Sequence, residues 1–177
     1  MLEVLELYTI NFAAVFTWLV ALLIVLVSIT VYVGSKEQAP RLFAFAGLAM
    51  ALWTFIFGID LGVPSQEEGS PLIGLTNFVY RASYYVGLLI SVLFFTFFAV
   101  FTERIKNMRV ITAMVVGAVI TAPLFFFTDL IISGTPYWLD HANFIGAEMR
   151  GYDLGPLDIV YEIIFNGLFI IALYFVF

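Results

Sequence analysis

The chain has 177 residues, 63% of them hydrophobic and 11% charged, with 13 acids against seven bases for a net charge of −6. So few charges cannot solvate a surface at a mean hydropathy of +1.09, since soluble domains carry about 25%, and the acidic balance excludes a nucleic-acid face. No cysteine and a single histidine, His141, exclude disulfides, thiolate catalysis and a multi-histidine metal site.

The first residues, "MLEVLELYTI", hold Glu3 and Glu6 and no base before Lys36, so they do not open a secretory signal. Five segments are long and apolar enough to span a bilayer, predicting an all-α polytopic bundle of five helices. The first covers about 8–33 and ends at "GSKEQAPR". The second covers 41–63, with small residues at four-residue spacing in Gly47/Ala51 and Gly58/Gly62, a pattern of helix–helix seams in membranes. The break "VPSQEEGSP" leads to the third helix, 72–101, and the charged turn "TERIKNMR" to the fourth, 109–132. The fourth carries Ala113/Gly117 and Ala118/Ala122, and Pro123 should kink it. A longer connection, 133–154, holds an external-loop His141 and the aromatics Tyr137, Trp138 and Tyr152, which suit an interfacial belt. The fifth helix covers 155–177.

Five bases (Lys36, Arg41, Arg104, Lys106, Arg109) flank the first and third connections, whereas only Arg81 and Arg150 lie on the other side. The positive-inside rule therefore predicts a plasma-membrane protein with its N-terminus outside. A fifth helix arriving at the cytoplasmic face normally meets Lys or Arg, and Phe177 has neither. The sequence is thus expected to be incomplete at its C-terminus.

Ionisable residues within spans mark candidate sites. Asp60, Arg81 and Asp129 all fall near the outer boundary of their helices. Asp158, Glu162 and Asn166 follow at i, i+4 and i+8, one polar stripe down the outer half of helix five. Arg81 is the base at the right depth to pair with Glu162, Asp60 or Asp129. These six residues define a candidate pocket for a small external or membrane-embedded ligand, centred on Arg81 and Glu162 and supported by Asn166 and Asp60. The alternative for the same residues is an interhelical salt bridge with ordinary interface anchors. No lysine lies within a helix, so a retinal Schiff base is excluded, and no phosphate loop, catalytic triad or metal motif occurs. No cofactor and no enzymatic module are expected.

Three stretches, "RLFAFAGLAMALWTFIFGIDLG", "NFVYRASYYVGLLISVLFFTFFAVFTER" and "YDLGPLDIVYEIIF", resemble the seven-transmembrane input region of bacterial histidine kinases. The likeness rests on Trp53, on the Arg81–Tyr84–Tyr85–Gly87 run leading to "FTER", and on the Gly155–Pro156 entry to helix five. It implies an outside N-terminus, two further helices after Phe177, a homodimer and a cytoplasmic output module. The phosphoacceptor and ATP-binding segments of such kinases are not in this sequence, and His141 lies on the wrong side to accept phosphate. The expected function is sensing, with signal passed to an output module. The alternative is a small five-helix transporter or channel subunit, whose polar stripe would have to continue toward the cytoplasm.

Overall fold

The computed structural model describes residues 12–62, 73–105, 107–144 and 147–175, with 134–144 and 147–152 as backbone only. In chain order the elements are α1 (Phe12–Gly34), α2 (Gln38–Gly62), α3 (Ile73–Phe101), α4 (Met108–Ile120), α5 (Ala122–Phe126), β1 (Ile132–Phe144), β2 (Ala147–Leu154) and α6 (Asp158–Tyr174). The fold is an all-α membrane bundle with one extramembrane hairpin.

Four helices are long and apolar enough to cross a membrane: α1, α2, α3, and α4 with α5 taken as one span, Met108–Phe126. At about 1.5 Å per residue, the 17 residues of α6 reach roughly 26 Å, close to a hydrocarbon core. The chain is an integral membrane protein, and its packing is built accordingly. Large side chains such as Leu19, Leu23 and Val27 are exposed, whereas Ala13, Ala14, Thr17, Ala21 and Ser28 of the same helix are buried. Lipid solvates the large residues, so contact between helices goes to the small ones.

The α1–α2 seam shows why. A Cβ on Gly47 would collide with the Ser28 side chain, and one on Gly58 with Thr17 and Trp18. The Trp18 indole N–H also donates to the Phe55 carbonyl at 3.3 Å. Both small-residue pairs of the second helix thus include a glycine required by close approach. Among the described residues no seam forms at Ala113/Gly117: a Cβ on Gly117 would meet nothing within 4 Å, and both residues are exposed.

Helix α3 is the centre of the bundle. Thirteen of its 29 residues are buried, and it packs against α2, α4, α5, α6 and β1. Ser91 and Thr96 lie wholly inside and return their hydroxyls to carbonyls of their own helix, Gly87 and Leu93. That satisfies each donor without a partner helix.

The fourth span breaks rather than merely kinking. Pro123 has no N–H and crowds the carbonyl four residues before it. Accordingly α4 ends at Ile120, Thr121 caps it, and a one-turn α5 follows with proline in its first turn. Helix then stops at Phe126, so Asp129 lies beyond it, not within a helix reaching 132. The connection 133–154 is no simple loop: β1 and β2 pair antiparallel, Ile132 opposite Leu154 and Phe144 opposite Ala147. His141 sits on β1; its side chain, and those of Tyr137, Trp138 and Tyr152, lie outside the described residues. Helix α6 starts at Asp158, three residues later than expected, because the backbone before it is tied to the end of the fourth span: Gly155 N–H donates to Ile131 O at 2.8 Å.

Candidate functional site

The ends of α2 and α5 and the starts of α3 and α6 gather at the hairpin side of the bundle. Two polar assemblies form there, on different faces of α3.

The first is built on Arg81. Its guanidinium is buried and accepted by the carbonyls of Phe125 (3.0 Å), Thr128 and Ile132 (3.1 Å). It also bonds Asn77 Oδ1 at 3.0 Å and the Asp129 carboxylate at 2.5 Å. One of these carbonyls, Phe125, is of the kind a helix end leaves unsatisfied, and Thr128 and Ile132 follow in the turn and at the start of β1, so the several donors of an arginine fork suit this place. The same segment receives α6: Leu157 N–H donates to Leu130 O at 2.6 Å, and a Cβ on Gly155 would strike the Asp129 and Leu130 backbone. Arg81 therefore holds a junction of α3, α5, β1 and the entry to α6.

The second assembly is a cavity of about 720 Å³ bounded by α1, α2, α3 and α6. Its polar lining comes from Thr54, Asp60, Tyr80, Ser83, Tyr84 and Glu162, and Tyr161 also borders it. Tyr80, Ser83, Tyr84 and Gly87 fall at i, i+3, i+4 and i+7, one stripe of α3. Arg81, one residue on, is turned about 100° away, and lies with Tyr85 on the face toward α5, where the Tyr85 ring meets Phe125 at 5.5 Å. Gly87 leaves room for Tyr161, whose hydroxyl a Cβ would approach to 3.0 Å. That hydroxyl donates to Tyr84 O at 3.1 Å and fixes α6 on α3. Asn166 donates to Glu162 Oε2 at 2.7 Å, a neutral partner on the adjacent turn.

The lining runs from Met50 to Leu61 on α2, from Tyr80 to Ile90 on α3 and from Tyr161 to Phe169 on α6. Those stretches amount to roughly 12–17 Å of helix rise. Among the described residues the lining stops at Met50, Ile90 and Phe169, all apolar, short of the helix ends remote from the hairpin. Among those residues the cavity is therefore blind at that end.

The six expected site residues are thus divided. Asp60 and Glu162 line the cavity. Arg81 and Asp129 form the junction, so the proposed centre of Arg81 with Glu162 is not one site; of Arg81's three expected partners, Asp129 is the one engaged. Asn166 supports Glu162 from an exposed position. Asp158 is buried in the first turn of α6, where a carboxylate suits the helix dipole, and among the described residues its Oδ1 has no hydrogen-bond partner. Tyr80, Ser83, Thr54 and Tyr161 were not singled out from sequence, although the i, i+3, i+4, i+7 stripe from Tyr80 to Gly87 was a legible signal. Among the described residues no group of three or more acids or histidines is placed to hold a metal ion. No protein-family model, curated protein or solved structure matches the chain.

Proposed function

We propose that the protein is the membrane-embedded sensing region of a bacterial signal-transduction receptor of the histidine-kinase type, and that the blind cavity is its stimulus site. The observation that carries this reading is a chamber of about 720 Å³ whose lining, among the described residues, stops short of the helix ends remote from the hairpin. Small-molecule sites occupy about 300–1,000 Å³ and combine apolar walls with a few polar groups. A permeation path would need lining through the whole thickness, so the blind end favours a pocket over the transporter or channel alternative.

The distribution of bases supports an external hairpin and a cytoplasmic first and third connection. In that orientation an external or membrane-embedded ligand reaches the cavity from the hairpin side. Occupancy favours one arrangement of α2 and α6 about α3 over another, a population shift that an output module on the cytoplasmic side would read.

The chain lacks cysteine, which allows a direct test. Single cysteines at Ser83 and Thr54 are probed in oriented vesicles with a membrane-impermeant maleimide. Labelling from the hairpin side alone is expected; labelling from both sides refutes the pocket and restores the channel reading. The receptor half is tested in the gene beyond Phe177, where two further apolar helices and a signalling module are expected. A gene without them removes the receptor reading and leaves a ligand-binding membrane subunit.

A further inference from the structure

We infer that the cavity takes a lipophilic organic cation, an ammonium with an apolar body, for which Glu162 is the counter-charge. This inference rests on the cavity being a ligand site. Among the described residues that line it, Asp60 and Glu162 are acids and none is Lys, Arg or His. Arg81, the one arginine described at this depth, is held on another face of α3 by three carbonyls, Asn77 and Asp129. The described partner of Glu162 is the neutral amide of Asn166. One turn earlier on α6, Asp158 is buried with Oδ1 unpartnered among the described residues. Among the described residues this end of the bundle therefore holds several acids and directs no base into the chamber. An acid in an apolar wall is costly unless a positive charge answers it.

The walls define the rest of the ligand. Trp53, Phe57, Tyr80, Tyr84 and Phe165 surround the chamber, and the Tyr80 and Tyr84 rings sit 5.1 Å apart. Aromatic faces attract a desolvated cation and exclude an anion. A small inorganic cation would need several converging oxygens, and no metal-holding cluster occurs among the described residues. An organic cation matches both the charge and the apolar volume.

The test uses the protein in nanodiscs of zwitterionic lipid, with empty nanodiscs as background. Equilibrium dialysis compares phenylbutyl-trimethylammonium with its uncharged isostere, in which carbon replaces the ammonium nitrogen. Saturable binding of the ammonium is expected, with the isostere weaker by about tenfold or more. Glu162→Gln, nearly isosteric, should remove that preference and leave the isostere unchanged. Equal binding of the two ligands, no saturable ammonium binding, or an unchanged preference in Glu162→Gln overturns the cation inference. Ser83→Trp and, from another helix, Thr54→Trp fill the chamber and separate the two levels. If both filled variants retain wild-type binding, the cavity is not the site and the underlying reading fails as well. If they abolish binding while Glu162→Gln keeps its preference, the cavity stands and only the charge assignment falls.

Discussion

The two polar assemblies at the hairpin side use charge in opposite ways. Arg81 is buried and fully engaged, with every one of its five bonds made to residues between Phe125 and Ile132 or to its own helix. Glu162 stands at the edge of a chamber, and among the described residues its carboxylate has one hydrogen-bond partner, the neutral amide of Asn166. A charge surrounded by matched donors or acceptors is part of the scaffold. A charge facing an unfilled apolar volume is free to recognise something. Both lie on apolar helices of the bundle, so rarity alone does not distinguish them; their partners do.

Substitution can break the contrast in a graded way. The largest effect is expected at Arg81: Arg81→Ala strands three carbonyls and should cost about 3–5 kcal/mol, measured by unfolding in detergent. Glu162→Gln should change stability by less than about 1 kcal/mol, because no cationic partner among the described residues is lost. Equal losses at the two positions would abolish the distinction between scaffold and site. Next in size, Gly58→Leu should cost about 1–3 kcal/mol by forcing α1 away from α2, while Gly117→Leu stays within about 0.5 kcal/mol. A large loss at Gly117 would mean that the exposed face of α4 is covered. Tyr161→Phe, which removes the bond from α6 to Tyr84 O, should cost about 0.5–1.5 kcal/mol. The smallest effect belongs to Asp129→Asn, below about 1 kcal/mol, since the Asp129 side chain is 76% exposed. A loss matching that of Arg81→Ala would show that the ion pair, not the carbonyl bonds, holds the junction.

Much of this arrangement could be read in the sequence. The apolar spans located the helices to within a few residues, except where Pro123 ended the fourth early. Gly47 and Gly58 announced the α1–α2 seam by their spacing, whereas Gly117, at the same spacing, does not form one. A small residue permits close approach and cannot specify which neighbour arrives. The hairpin was hidden because 133–154 has turn residues and aromatics that suit a loop equally well, and strand pairing depends on the partner segment.

Asp60 and Glu162 were legible as functional candidates because an ionisable residue in a span is costly and conspicuous. Their separation from Arg81 was only partly so: depth along a helix follows from residue count, and the 100° step from Tyr80 to Arg81 follows from helix geometry. Which neighbour each face meets does not. Sequence alone determined that the chain lives in a membrane, which segments cross it and which charges enter it, because these follow from local composition and the thickness of the bilayer. Only the tertiary structure decided that Arg81 closes a junction while Glu162 borders a blind chamber. Helix rotation and pairing are set by nonlocal packing, which no single span encodes.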